Sequence, residues 1–455
     1  MNVELTQGPI FRRLIRFALP LMLGNLLQQL YNVADTLIVG RFVGSDALAA
    51  VGSAYTLMTF LTSVLLGLSM GSGAVFSIRY GEGDQEGLKA GIFHSFLLIG
   101  AVAAVMNFIV FLFIDPIMGL LQVPSDVYPL MREYLWIIFA GIPAVFLYNY
   151  FASLLRAVGN SVTPLIFLTV SALLNIGLDL LFVVGFQWSV AGAAFATVLS
   201  QYVSGAGIVI YTMARFPELR LQRRHLRFRS SVMKEIANLS FLTCIQQSVM
   251  NFGILMVQGL VNSFGSVIMA AFAAAVKIDS FAYLPVQDFG NAFSTFVAQN
   301  YGARKPGRVF AGFRCAVLTS VLFSLGVSAV VFLFARPLMH IFVDPSETAI
   351  VAAGVEYLRV EGSFYWGIGI LFLLYGFYRA VKKPMMSIVL TVISLGLRVA
   401  LAYTLSSVPF LGVTGIWMSV PIGWAAADLT GLLCYLRCRK TLLPEENSRS
   451  SGTVS

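Results

Sequence analysis

The chain has 455 residues, of which 58% are hydrophobic and 11% are charged, whereas soluble domains carry about 25% charged residues. This composition excludes an ordinary soluble protein and indicates a polytopic membrane protein. The formal net charge of +9 is therefore interpreted first as a topology signal, and nucleic-acid binding is not expected.

Apolar windows of about 20 residues, the length that crosses a bilayer as a helix, predict twelve transmembrane spans. They lie at residues 15–40, 53–78, 90–113, 130–153, 163–185, 189–212, 236–261, 268–299, 312–334, 355–378, 386–405 and 412–436. Continuous apolar runs of this kind argue against a β-barrel. The predicted fold class is an all-α polytopic membrane protein.

The first span carries a polar face within "NLLQQLYNVADTLIVGRF". Gln28, Asn32 and Asp35 follow one another at spacings of four and three residues, so they lie on one side of a helix. A carboxylate in mid-span costs about 2.5 to 3.5 kcal/mol, and Asp35 is therefore expected to face protein or water. The amides can also act as packing contacts between helices.

Basic residues accumulate in alternate loops. The loops on the side of both termini hold most lysines and arginines, whereas the opposite loops hold only Arg41, Arg132 and Arg336. The positive-inside rule then predicts a protein of the plasma (inner) membrane with both termini in the cytoplasm. The predicted domains are a first bundle (1–213), a basic linker along the lipid headgroups (214–235), a second bundle (236–436) and a cytoplasmic tail (437–455).

An internal duplication relates the two halves of the chain. At an offset of 221 residues, Gly44 falls on Gly265 and "YGEGD" at residue 80 falls on "YGARK" at residue 301; at an offset of 223, "RAVG" at 156 falls on "RAVK" at 379. Each half contains six spans, so the repeat is parallel. Two parallel six-helix bundles around a central cleft are a construction of secondary transporters, which predicts alternating access.

The motifs "LPLMLGNLLQQLYNVADTLIVGRFVGSDALAAVG", "FLYNYFASLLRAVGNSVTPL" and "FSTFVAQNYGARK" resemble those of the multidrug and toxic compound extrusion (MATE) family. The resemblance covers residues 8 to 437 in a duplicated six-plus-six frame. It implies two lobes arranged as a V and export of bulky, often cationic or amphipathic compounds in exchange for Na⁺ or H⁺.

The fifth span contains Asn175 and Asp179 one helical turn apart on one face. One branch of the family binds its coupling cation with an aspartate on the first helix, such an Asn and Asp pair on the fifth, and a threonine on the sixth. Asp35, Asn175, Asp179 and Thr197 match this pattern, which implies a cation site in the N-terminal lobe. Two carboxylates with neutral oxygens suit Na⁺, but a crowded carboxyl pair can also carry a proton.

The second half does not repeat this site, because Asp35 falls on Met256, Asn175 on Arg398 and Asp179 on Ala402. Another branch of the family uses acids in helices 7 and 10. Here the seventh span offers only glutamines, and the tenth has no interior acid after Glu361. A cation site of that second type is therefore not expected.

The remaining candidates are residues that could line a substrate cleft: Gln28, Asn32, Tyr31, Tyr148, Tyr202, Asp279 and Asp288. Acids would favour cationic substrates and tyrosines would offer cation–π contacts. For the two acids, an alternative is internal ion pairing with Lys277 or Arg398. Pro20 can bend the helix that carries Asp35, which would couple the bend to ion binding.

Together these features predict a monomeric antiporter that exports amphipathic or cationic small molecules among membrane lipids, with a transported Na⁺ or H⁺ and no bound cofactor. One alternative is a flippase for a lipid-linked precursor. A polytopic membrane enzyme is the other, although the scattered histidines and the lack of a DxxxD cluster argue against it.

Overall fold

A computed structural model describes residues 3–120, 123, 125 and 127–442, and within these residues the chain forms fifteen α-helices and no β-strand. The helices are α1 (Ile10–Phe42), α2 (Ser45–Glu82), α3 (Gln85–Leu112), α4 (Ile114–Leu120), α5 (Tyr128–Ile138), α6 (Ile142–Ala157), α7 (Val162–Asp179), α8 (Ser189–Arg215), α9 (Ser230–Asn262), α10 (Ser266–Gly302), α11 (Pro306–Met339), α12 (Thr348–Gly362), α13 (Tyr365–Ala380), α14 (Pro384–Ser406) and α15 (Gly412–Leu442). Residues 443–455 of the predicted tail lie outside this description.

The helices account for the predicted membrane spans and confirm the fold class. Among the described residues, ten helical segments are long and apolar enough to cross a bilayer, with α5 and α6 forming one of them. The pair α12 and α13, bent by 51° at its break, makes an eleventh span. α1 is long enough to cross a bilayer with its 33 residues, but its polar face makes it less apolar than these spans, and it is not counted among them.

The segment that connects the two predicted bundles lies between α8, which continues to Arg215, and α9, which begins at Ser230. Residues 216–229 contain two short 3-10 helices, Pro217–Leu219 and Arg223–Leu226. Within the linker, Leu219 and His225 are buried, and His225 lies 3.1 Å from Glu86 of α3.

The described part of the chain has two large hydrophobic cores and a small third one, formed by Ala74 and Val75 of α2 with Ile236 and Leu239 of α9. One large core is built from the first half, from Val39 to Leu219 with Cys244 added, and the other mainly from residues 257–435 of the second half. α1 contributes to both, because Leu14 and Phe17 belong to the second core and Val39 belongs to the first. The helix that carries Asp35 therefore joins the two halves.

The internal repeat is visible in the turns between helices. Gly44 and Gly265 precede α2 and α10 with φ values of 123° and 95°. The turn after α2 has its left-handed residue at Gly83 and the turn after α10 has it at Arg304, again 221 positions apart. Equivalent turns thus adopt the same unusual backbone conformation, one that glycine tolerates best, even where the sequence has diverged.

α2 and α10 cross closely at two glycines related by the repeat. A Cβ on Gly81 would lie 2.0 Å from the carbonyl oxygen of Gln299, and one on Gly302 would lie 2.1 Å from that of Ile78. Gln299 also donates to the carbonyl of Ala157, at 2.7 Å. Only glycine permits this backbone contact. The two halves are therefore closed against each other at the C-terminal ends of α2 and α10.

The N-terminal segment 3–8, here called the strap, reinforces the same end. Its Val3 amide donates to the Gly159 carbonyl in the first half, at 2.8 Å. From the second half, Arg308 donates to the carbonyls of Leu5, Gln7 and Gly8 at 2.7 to 3.2 Å. The strap therefore connects both halves through its main chain.

Candidate functional site

The four residues predicted for cation binding meet inside the first half. α1 packs beside α7, and α7 beside α8, so residues from three helices converge. The carboxyl groups of Asp35 and Asp179 lie next to each other. Asp179 is fully buried, and Asp35 is partly buried on the face of α1 that looks toward α7.

Asn175 and Thr197 complete the group. The Asn175 amide nitrogen donates to the Thr197 hydroxyl at 3.3 Å, which leaves the Asn175 carbonyl oxygen free to bind another group. Ser200 donates its hydroxyl to the Thr197 carbonyl at 2.8 Å and so supports this part of α8. The Asn175 carbonyl oxygen is therefore a buried acceptor without a donor, one helical turn before Asp179.

Four buried oxygens of this cluster have no hydrogen-bond partner: Asp35 Oδ1, Asn175 Oδ1 and both carboxylate oxygens of Asp179. Within the described part of the chain, the ion pairs closer than 4.0 Å include neither aspartate. Buried acceptors without donors are costly. A hard monovalent cation or a proton would satisfy them.

The helix type of α7 changes directly after Asp179. The α-helix stops at Asp179, and residues Leu180–Gly185 continue as a π-helix. Such wider turns are rare and occur often at functional sites. Here the change follows directly after the buried carboxylate of Asp179.

Two tyrosines lie near the aspartates. Tyr31, one turn before Asp35 on α1, contacts Gln28 and lies close to both carboxyl groups, and buried Tyr134 of α5 is close to them as well. Tyr134 is a residue that sequence reasoning missed, because nothing in the α5 sequence links it to α1. Asn32 is partly buried, and its carbonyl accepts from Thr36 at 2.8 Å.

The other tyrosine candidates are tied to the backbone of neighbouring helices. The Tyr148 hydroxyl donates to the Pro164 carbonyl at 3.0 Å, and the Tyr202 hydroxyl donates to that of Ala140 at 2.8 Å. Both bonds stay within the first half. The structure does not bring these two side chains to the aspartate cluster.

Asp288 lies at the contact between the halves. The Asn25 amide of α1 donates to both of its carboxylate oxygens, at 2.6 and 2.7 Å, and Arg156 of α6 is close enough to interact electrostatically. Asp288 is 4% exposed. This cross-connection between residues 263 positions apart has no local signature in the sequence.

Asp279 lies elsewhere in the second half and is not paired with Lys277. Lys277 is exposed, with its Nζ atom 5.9 Å from the centre of the Phe342 ring. Asp279 instead has Glu361, Tyr365 and Arg398 as neighbours. Glu361, which lies on α12 in the predicted tenth span, is buried and is thus an interior residue.

The sequence and the fold of the chain are similar to those of known proteins. The sequence profile of the MatE family matches residues 20–181 and 240–404. The chain is 29% identical to "Probable multidrug resistance protein YpnP" of Bacillus subtilis over 95% of this chain and 96% of that protein, and 27% identical to "Probable multidrug resistance protein NorM" of Thermotoga maritima over 90% and 89%. A MOP superfamily transporter from Pyrococcus furiosus has the same fold, with a TM-score of 0.91 at 24% identity over 97% of this chain and 98% of that one.

Proposed function

The chain belongs to the MatE family of multi-pass membrane transporters, and we propose that it exports amphipathic or cationic small molecules in exchange for a cation bound in its first half. Proteins of this family are transporters rather than enzymes, and they are coupled to ions. The multidrug resistance names of its relatives support small-molecule efflux as the task of this chain.

One observation carries the proposal: the four unsatisfied oxygens of Asp35, Asn175 and Asp179, buried beside the Thr197 hydroxyl. A membrane-embedded cluster of this kind is costly when empty. Binding a cation removes the cost, so the energy of an ion gradient can be used at this point. This arrangement supports membership of the branch with its cation site in the N-terminal lobe.

Na⁺ suits the donor set better than H⁺. A proton needs one acidic oxygen and one acceptor, whereas the cluster also offers a neutral amide oxygen and a hydroxyl, which are typical ligands of hard cations. The amide orientation, with Asn175 Nδ2 bonded to Thr197, favours the same ion because it leaves the amide oxygen without a donor.

The duplicated architecture supplies the movement. The two six-helix halves act as the moving units. The protein lies in the plasma membrane as a monomer, and the linker and both termini are in the cytoplasm. α1 packs into both hydrophobic cores, so a cation bound at Asp35 changes a helix that also contacts the second half. Alternating access follows from rocking of the halves.

Flux of a fluorescent cationic dye in proteoliposomes tests the proposal. Vesicles are prepared with an inward Na⁺ gradient, with an H⁺ gradient or with neither, while the membrane potential is clamped. We expect dye movement against its own gradient only when a Na⁺ gradient is imposed. Equal movement without any ion gradient would rule out antiport.

A further inference from the structure

We propose that residues 215–229, in the linker between the two halves, form a docking surface for the headgroups of anionic phospholipids. This inference goes beyond the export function, because it concerns the lipid around the protein and not the transported compound or ion. The sequence predicts only that the linker lies along the headgroups. The contacts of the linker identify the residues that remain free to bind and the charge of the lipid that they suit.

The linker is fixed against the N-terminal end of α3. His225 accepts from the Gln222 amide at its Nδ1 atom, at 2.9 Å, and its Nε2 atom lies 3.1 Å from a carboxylate oxygen of Glu86. The Arg229 amide donates to Nε2 of His94, at 2.7 Å. Both histidines are buried. The main chain of the linker is therefore held by protein contacts, without the help of a lipid.

The linker carries an excess of positive charge. Residues 215–229 contain six arginines and one acid, Glu218. Arg220 donates to two carbonyls at the end of α8, at 2.6 and 3.3 Å, and Arg224 pairs with Glu86 at 3.0 Å. The other four are exposed and make no ion pair within 4.0 Å among the residues that the structure describes: Arg215, Arg223, Arg227 and Arg229.

Two exposed apolar side chains lie among these arginines. Leu226 is 50% exposed and Phe228 is 62% exposed, and they alternate with Arg227 and Arg229 in the sequence. A segment that combines basic and apolar side chains can bind a membrane surface through charge and through insertion of the apolar groups. The composition of the exposed face therefore suits a lipid surface better than water alone.

The linker lies at the lipid-facing side of α3. Its second 3-10 helix, Arg223–Leu226, packs on α3, and the ring centre of Phe228 is 5.4 Å from that of His94. Farther along the same helix, Phe96 and Leu97 are 42% and 47% exposed, as expected of side chains that contact acyl chains. The helices before and after the linker both cross the membrane, so the free arginines lie near the level of the headgroups.

The free groups favour an anionic lipid. Guanidinium groups bind phosphate oxygens through two hydrogen bonds at once, and every phospholipid offers a phosphate. In phosphatidylcholine the neighbouring ammonium group cancels the phosphate charge, whereas phosphatidylglycerol keeps a net negative charge. Attraction to a negatively charged membrane surface increases with each arginine and is weakened by salt.

Hydrogen exchange of the full-length protein in nanodiscs, measured by mass spectrometry, tests the docking surface. The nanodiscs contain either phosphatidylcholine alone or equal amounts of phosphatidylglycerol and phosphatidylcholine. We expect the amides of residues 216–229 to exchange about tenfold more slowly with phosphatidylglycerol present, because bound headgroups restrict opening of the linker. High salt should remove most of this protection.

The triple variant Arg223→Gln/Arg227→Gln/Arg229→Gln separates lipid binding from the fold of the linker. It leaves the contacts of the linker with α3 and α8 in place. Its exchange in phosphatidylcholine should therefore equal that of the parent, while the protection by phosphatidylglycerol is lost.

The matched control is Arg12→Gln/Arg314→Gln/Arg437→Gln, which removes the same charge from exposed residues outside the linker and should keep the protection. The proposal is overturned if the parent exchanges equally in both nanodiscs, or if the linker variant keeps the protection. It is also overturned if soluble polyphosphate protects the linker and phosphatidylglycerol does not, because the surface would then bind a soluble anion. Because no transport is measured, failure of the export function leaves this result unaffected.

Discussion

Asp179 is a fully buried residue, and both of its carboxylate oxygens lack a hydrogen-bond donor. Its burial is therefore costly unless a cation or a proton binds there. Its neighbours supply oxygens rather than compensating positive charge. Asn175 donates to Thr197, and its carbonyl oxygen is buried without a donor as well. This set of oxygens is the basis on which we propose a cation site here, with the neutral ligands favouring Na⁺.

Thr197→Val tests the neutral ligands. The substitution keeps the shape of the side chain but removes the hydroxyl that we propose as an ion ligand and that accepts a hydrogen bond from the Asn175 amide. We expect the apparent Na⁺ affinity of transport to fall about tenfold, equivalent to about 1.4 kcal/mol, while maximal flux at saturating Na⁺ changes little. Thr197→Ser, which keeps the hydroxyl, is the matched control. An unchanged Na⁺ affinity in the valine variant would remove Thr197 from the site.

Part of this site could be anticipated from the sequence. Asp35 and the pair Asn175 and Asp179 stood out because carboxylates are costly in a membrane helix and their spacing places them on defined faces. The contact of Asp288 with Asn25 and the cluster of Asp279 with Glu361 could not be predicted. Their members come from helices distant in the chain, so no periodicity connects them.

At the scale of elements, α1 and the strap that precedes it link the halves. α1 is continuous through Pro20, a residue that cannot donate a backbone hydrogen bond and so weakens the helix locally. The residues before Pro20 pack in the second core, and Val39 packs in the first. The predicted coupling between ion binding and a bend at Pro20 is compatible with this packing and stays a prediction.

Arg308→Gln tests the strap. The guanidinium donates to three carbonyls of the strap, and charge-assisted hydrogen bonds contribute about 1.5 to 3 kcal/mol each when buried. Since Arg308 is half-exposed, we expect a smaller effect, about a tenfold faster amide exchange of residues 3–8 and of the turn at Gly159. Mass spectrometry of hydrogen exchange measures it, with exposed Arg314→Gln as control. Exchange equal to the parent would show that the strap is held by other contacts.

For the whole molecule, the repeat explains both what is shared and what differs. The turns and the crossing of α2 and α10 follow the pseudo-symmetry, because they serve packing that both halves need. Two polar clusters do not: among the described residues no arginine or lysine is paired with Asp35 or Asp179 in the first half, whereas Arg398 lies near Asp279 and Glu361 in the second. The architecture was predictable from hydropathy and duplication, whereas this division of chemistry required the three-dimensional contacts.

Gly302→Ala tests the closed contact between the halves. The added methyl group would meet the Ile78 carbonyl oxygen, which belongs to the backbone and cannot rotate away. We expect spin labels at Gln85 and Gly307 to move apart and transport to be lost. Gly326→Ala, where a methyl group meets nothing within 4 Å, is the matched control. Unchanged label distances in the Gly302 variant would show that this contact does not determine the closed state.

The central claim is that the cation bound at Asp35 and Asp179 drives export, and Na⁺-driven dye flux in the variants Asp35→Asn and Asp179→Asn tests it most directly. Both variants keep the size and shape of the side chain, and Asp344→Asn in an exposed loop controls for loss of a carboxylate elsewhere. The account predicts that both site variants lose gradient-driven flux while Asp344→Asn matches the parent. Retention of Na⁺-driven flux by both site variants would contradict it.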